Sequence, residues 1–204
     1  MSNKFSLIIS RLFSRRKLAG WVLATIGLIL AVFSWLYWPQ NSLKISNSLP
    51  TVSQSFYFQD LSWLKKYPLV KVDKINDGDT FEVILDGKME RIRLLGINTP
   101  EIEGPYRHQE CFGPEASQRG KRLLTNRKVY LIKDPSVPNR GKYGRLLRYA
   151  VREDGLFYNA EMVWEGYAFE YSPRGQHFNY EDFFKKLQSQ ARQAKRGLWK
   201  TCRK

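Results

Sequence analysis

The longest feature of the hydropathy pattern is a run of 21 uncharged residues, Leu18 to Trp38, LAGWVLATIGLILAVFSWLYW. At 1.5 Å per residue a helix of this length crosses a ~30 Å hydrocarbon layer, so the pattern predicts a transmembrane helix. Arg11, Arg15, Arg16 and Lys17 precede it, and no comparable basic cluster follows at once. That asymmetry puts the N-terminus in the cytoplasm and residue 39 onward outside it, in a periplasm or the extracellular space. Trp35, Tyr37 and Trp38 would then lie at the far interface. The rival reading is a cleaved signal peptide and a secreted product. It is disfavoured because the run is long for one and no small-x-small site follows cleanly. Asn41 to Gln59 is polar and rich in Ser and Asn, as a tether is.

From residue 69 the period shortens to that of strands. Leu69 to Ile75 (LVKVDKI) and Thr80 to Leu85 (TFEVIL) flank the turn Asn76-Asp77-Gly78-Asp79. Asp86-Gly87 is a two-residue hairpin signal, and Met89 to Leu95 returns as a third strand. Lys128 to Ile132 and Leu146 to Val151 read as two more. Helices are expected at Glu115 to Leu124, behind Pro114, and at Ala160 to Trp164, capped by Asn159 and stopped at Gly166. A third runs from Tyr180 to Arg196, with Phe183, Phe184, Leu187, Ala191 and Ala194 as apolar points, and ends at Gly197. Asp60 to Lys66 suits one short helical turn whose Trp63 and Leu64 pack on the following domain or lie on the membrane. Tight joints between the first three strands favour a small, partly open barrel over a βαβ sheet.

Charge adds a partner class. The formal net charge is +15, which draws polyanions: nucleic acid or an anionic membrane surface. Residues 1–68 hold eight Lys or Arg against one acid, and residues 69–204 hold 26 against 18. The second part is therefore basic yet rich in both signs. The two cysteines, Cys111 and Cys202, are read as free, because pairing them requires a loop spanning most of the domain.

The polar strand ends carry the candidate chemistry. Hydrolysis of a phosphodiester needs a cation on the phosphate, positive groups for the transition state, and a group that orients or activates water. Asp77 and Asp79 bracket a glycine, a pattern that fits either a plain turn or an oxygen-ligand site. Arg91 to Glu101 (RIRLLGINTPE) places arginines on an alternating strand that breaks into Asn98-Thr99-Pro100-Glu101. Hard oxygens beside arginine suit a calcium–phosphate site better than zinc. His108 and His177 are too few and scattered for a histidine metal centre.

Taken together, INDGDT at 75–80, RLLGINTPE at 93–101, GPEAS at 113–117, KYGR at 142–145, NAEMVWEGYA at 159–168 and AKRGLW at 194–199 resemble the staphylococcal nuclease (thermonuclease) family. The resemblance runs from about 69 to 200 with the motifs in order. It implies an α+β, OB-fold five-stranded barrel with three helices, and hydrolysis of DNA and RNA with one Ca²⁺. By that resemblance Asp79 is a calcium-ligating aspartate, Thr99 lends its backbone carbonyl, and Glu101 activates or positions water. Arg93 and Arg145 bind phosphate, and Tyr143 and Tyr171 lie on the substrate side. The family's second calcium carboxylate falls where this chain has Asn98. An amide oxygen still ligates Ca²⁺ but adds no charge, so weaker binding or tolerance of Mg²⁺ or Mn²⁺ is expected, with Asp77 as an outer-shell acid.

The expected organisation is a basic tail (1–17), a transmembrane helix (18–38), a tether (39–66), a nuclease domain (67–200) and a short tail (201–204). The expected partners are DNA, RNA and the lipid bilayer. No protein partner is expected, and the catalytic domain is read as monomeric. The leading function is a membrane-anchored, metal-dependent nuclease of little sequence preference. The alternative is a membrane-tethered OB module that binds nucleic acid without cutting it; retention of Arg93, Glu101 and Arg145 favours the enzyme.

Overall fold

The structure, a computed structural model, describes residues 56–105 and 108–202. Its strands are β1 (Leu69–Ile75), β2 (Thr80–Leu85), β3 (Lys88–Leu94), β4 (Ile97–Asn98), β5 (Lys128–Ile132), β6 (Leu146–Arg152) and β7 (Phe169–Glu170). Its helices are α1 (Gly113–Leu124), α2 (Tyr158–Trp164), α3 (Glu181–Gln193) and α4 (Leu198–Thr201), with short 3-10 turns at Ser62–Lys66 and Pro173–Gly175.

Five strands close a barrel in the order β1-β2-β3-β6-β5. Only the β3–β6 pair is parallel, with Ile92 opposite Leu146. The hairpin β2–β3 turns at Asp86-Gly87, both at positive φ, as a tight two-residue turn requires. A register shift between Val72 and Lys74 bends β1, so it pairs with β5 at one end and β2 at the other. Alternation sends Val70, Val72, Phe81, Val83, Ile92, Val129 and Leu131 inward to the core. Helix α1 buries Ala116, Leu123 and Leu124, and α3 buries Phe184, Leu187 and Ala191. Ala194, expected on that buried face, is exposed, because α3 ends one residue earlier.

Three sequence expectations are corrected here. Asn159 does not cap a helix. It lies inside α2, where its side chain donates to the Leu95 carbonyl and accepts from the Ala150 amide, at 2.9 Å each. Cys111 and Cys202 are not free: they form a disulfide across 91 residues, because α4 folds back beside the start of α1. The fold class loses its transmembrane helix. Among the described residues no helix is long and apolar enough to cross a membrane. The longest, α3, has 13 residues and so spans only about 20 Å. Residues 18–38, where the spanning helix was expected, lie outside the described residues. The membrane-anchored function, the bilayer partner, and both the single-pass topology and the extracytoplasmic placement drawn from it are withdrawn accordingly. What stands is a five-stranded barrel with several helices.

The last part of the stretch read as tether packs on the barrel. Phe56 meets Trp164 and Phe183 edge-on, and Phe58 packs on Trp63 and Phe157. Tyr57 bridges Leu156, and Leu64 is fully buried.

A buried carboxylate ties the barrel to α3. Asp134, 0% exposed, accepts from the Tyr149 hydroxyl at 2.5 Å, the Asn179 amide at 2.8 Å, and the Ser136 amide and hydroxyl at 2.9 and 2.6 Å. Burial opposes its ionisation, but these hydrogen bonds outweigh it and hold the carboxyl below its usual value. Its stabilisation is therefore present above the ordinary aspartate range and is lost as pH falls through the lowered value. Asp134→Asn turns an NH₂ toward these donors and is expected to cost about 3 kcal/mol at pH 7. Urea unfolding at pH 7 and pH 3 checks this: the deficit should shrink at the lower pH.

Candidate active site

The site gathers where the β1–β2 turn meets the break after β4. Gly78 makes the approach possible, since a Cβ there would lie 2.6 Å from Thr99 Cγ2. Asp79, 5% exposed, is fixed on both oxygens. Oδ2 accepts from the Thr99 amide at 2.8 Å and its hydroxyl at 3.2 Å, and Oδ1 accepts from the Thr80 hydroxyl at 3.0 Å. The Asp79 amide in turn donates to Asp77 Oδ1 at 2.9 Å.

Arg93 leaves β3 toward the same point. Its Nε stands 3.3 Å from Asp79 Oδ1, and Nη2 donates to Asn98 Oδ1 at 2.8 Å. Nη1 donates to the carbonyls of Leu94 and Ile97, at 2.7 Å each. One planar guanidinium thus braces the chain reversal between β3 and β4 while facing the acids. The Asn98 amide group lies 3.5 Å from the Thr99 carbonyl. Arg145 comes from the loop before β6, and its Nη1 is 3.5 Å from the Thr80 hydroxyl, which also serves Asp79.

The tyrosines flank these arginines. Tyr143 is 74% exposed, with Arg145 5.6 Å from its ring centre. Tyr171 is 47% exposed, with Arg93 6.0 Å from its ring. The short β4–β7 pair brings Tyr171 here, its amide donating to the Gly96 carbonyl at 3.0 Å. Beside Arg145, an open hollow of about 300 Å³ is lined by Glu82, Met89, Arg91, Tyr143 and Gly144. Glu101 follows Thr99-Pro100 and is half-buried, with its backbone fastened to Glu110.

The electrostatics favour a cation. Asp77 is pushed up to about 6 by burial and by the charge of Asp79, against the opposing hydrogen bond from the Asp79 amide. Burial and the same two aspartates push the Tyr158 hydroxyl, which donates to the Gly78 carbonyl at 2.8 Å, well above its usual range. The oxygens at hand are the Asp79 carboxylate, the Asn98 amide and the Thr99 carbonyl, all hard donors of the kind Ca²⁺ and Mg²⁺ take. Among the described residues no three or more His, Cys, Asp and Glu gather as a metal cage. An ion here would therefore rely on one carboxylate, neutral oxygens and water.

Residues 91–201 match the family model described as staphylococcal nuclease homologue. The chain belongs to this family. It is 37% identical over 131 residues to a thermonuclease of Staphylococcus hyicus, covering 63% of this chain and 74% of that one. It is 36% identical over 138 residues to endonuclease YncB of Bacillus subtilis (strain 168), covering 66% of this chain and 63% of that protein. Against the SPbeta prophage-derived endonuclease YokF of the same strain it is 36% identical over 133 residues, but spans only 43% of that protein's length. Membership of the staphylococcal nuclease family supports nuclease activity in general terms, and nucleic acid as the partner.

The structure brings Asp77, Asp79, Arg93, Asn98 and Thr99 into one hydrogen-bonded cluster, with Arg145 joined through Thr80. Tyr143 and Tyr171 stand on either side through the arginines. Sequence reasoning missed Thr80, whose hydroxyl links Asp79 to Arg145, and Glu110, which holds the Glu101 backbone. Thr80 was visible as the residue closing the DGDT motif, whereas nothing in the spacing of Glu110 distinguished it from a surface acid.

Proposed function

We propose that this chain hydrolyses the phosphodiester bonds of DNA and RNA with little sequence preference, using one Ca²⁺ or a similar hard divalent ion. The observation that carries the proposal is the convergence of Asp79, Arg93 and Thr99, with Arg145 joined through Thr80 and with Glu101 close enough for its charge to act on Asp77. Asp79, Asn98 and the Thr99 carbonyl would hold the ion, with Asp77 as an outer acid. Once bound, the ion supplies positive charge to a phosphate oxygen.

The remaining work falls to the protein's own groups. Arg145 presents a planar fork to the other phosphate oxygens, and Arg93, its N–H groups largely engaged, adds positive charge; together they offset the charge that builds in the transition state. Arg93 is pre-aligned by its four contacts to its own chain, so it reorganises little on binding. Glu101 accepts the proton of the attacking water. Tyr143 and Tyr171 offer aromatic faces on which bases stack without being read, which fits a preference for single strands over particular sequences. Exposed cations of α3 and the turn after it, among them Lys185, Lys186, Arg192 and Lys195, extend the attraction for the backbone.

Asn98 sets the metal affinity. In place of a carboxylate it offers one amide oxygen, which already accepts from Arg93. Asn98→Asp is expected to tighten Ca²⁺ binding about 10-fold, read by isothermal titration. An unchanged affinity contradicts Asn98 as a ligand.

The proposal as a whole is tested with labelled single-stranded DNA and RNA of matched sequence, given to the full-length protein with Ca²⁺. Cutting of both is the expected result. Tight binding of both without cutting would favour the non-catalytic module instead.

A further inference from the structure

Glu101 follows the buried pair Thr99-Pro100 at the start of a surface stretch, and Glu110 holds its backbone from two sides. Its amide donates to the Glu110 carboxylate at 3.0 Å, and the Glu110 amide donates to the Glu101 carbonyl at 2.9 Å. Gly113 completes the approach: a Cβ there would lie 2.1 Å from the Glu101 carbonyl oxygen. Glu110 is exposed, so water competes with the hydrogen bond to its carboxylate.

The next residue is Cys111, covalently bonded to Cys202 just past α4, with the two Cα atoms 5.8 Å apart. The far end of this bond is well seated. Leu198 of α4 is buried, and its amide donates to the Gly166 carbonyl at 2.9 Å. Phe112, at φ +72°, stacks on Tyr167 with ring centres 5.3 Å apart. Glu110, which grips Glu101 on both its amide and its carbonyl, is therefore adjacent to a covalent tie to the body of the domain.

We propose that the Cys111–Cys202 disulfide is a positioning device for Glu101. It holds Glu110 against the Glu101 backbone and so makes turnover depend on the oxidation state of the pair. The bond restricts the segment's freedom more than two exposed hydrogen bonds do. Release lets Glu101 drift, and a catalytic group misplaced by about 1 Å loses on the order of 10²-fold in rate. The switching step is a two-electron exchange with a small dithiol. The dithiol gives up two electrons and two protons and closes its own S–S bond, while the 111–202 bond opens to two thiols. The proposal rests on the reading of Glu101 given above.

The test measures kcat and KM on single-stranded DNA for the full-length protein, oxidised and after dithiothreitol, with circular dichroism on each sample. Reduction is expected to lower kcat about 10-fold or more with KM within about twofold, and reoxidation restores it. Glu110→Ala, with the disulfide intact, removes the carboxylate half of the clamp and should lower kcat in the same direction, and reduction should then add less than it does to the parent, because both changes loosen the same clamp. Glu110→Gln, whose amide oxygen still accepts from Glu101, should recover most of that loss. A purely structural bond would not produce this non-additivity or this rescue. If the reduced protein unfolds, Glu110→Ala decides alone: a lowered kcat supports the clamp and an unchanged kcat overturns it. A folded, reduced protein at full kcat overturns the clamp while Glu101→Gln stays inactive. If Glu101→Gln itself keeps full turnover, the reading of the site falls and the clamp with it.

Discussion

Replacing Glu101 with glutamine is expected to lower kcat on single-stranded DNA by about 10²- to 10⁴-fold while leaving DNA binding within a few-fold of the parent. Glutamine keeps the shape of the side chain but cannot accept the proton from water. The phosphate-facing arginines are untouched, so affinity for the polyanion persists. The substitution also leaves in place the hydrogen bonds that the backbone amide and carbonyl of residue 101 make with Glu110. Rates from single-turnover cleavage and affinities from fluorescence anisotropy separate the two effects. Equal loss of both would mean that Glu101 acts in binding.

Arg145→Lys is expected to lower kcat by about 10²- to 10³-fold, although the charge is conserved. Lysine carries a point charge and lacks the fork that meets two phosphate oxygens together. Arg145 is the better arginine for this test. Arg93 donates to two carbonyls of its own chain and to Asn98, so changing it disturbs the β3–β4 reversal as well as the site. Arg145 meets the side-chain hydroxyl of Thr80 at 3.5 Å, and lysine keeps the positive charge at that place. Cleavage kinetics on a DNA strand measure the effect, with a thermal melt as the control on folding. A kcat within about threefold of the parent would remove Arg145 from transition-state binding.

The barrel was legible because its strands are short, rich in apolar residues and set off by turn signals. Alternation in TFEVIL and the Asp86-Gly87 turn leave one register in which Phe81 and Val83 face inward. The parts of the site held by short-range sequence were also legible, since Asp79, Thr99 and Glu101 lie in contiguous motifs. Long-range partners were not. No local pattern shows that Cys111 meets Cys202 across 91 residues, because that depends on where α4 docks. Asn159 looked like a helix cap since its residue type suits one, yet its side chain links Leu95 to Ala150. Nor did the alternation of β3 reveal that Arg93 turns its guanidinium onto two backbone carbonyls, a role set by the β4 reversal.

Metal-dependent phosphodiester hydrolysis at Asp79, Arg93 and Glu101, as proposed above, is open to a simple assay. The most direct measurement is cleavage of end-labelled single-stranded DNA by the full-length protein with Ca²⁺, with Mg²⁺ and with excess chelator. Metal-dependent hydrolysis requires cutting with a divalent ion, none with chelator, and recovery when the ion is restored. Undiminished cutting in chelator would contradict it.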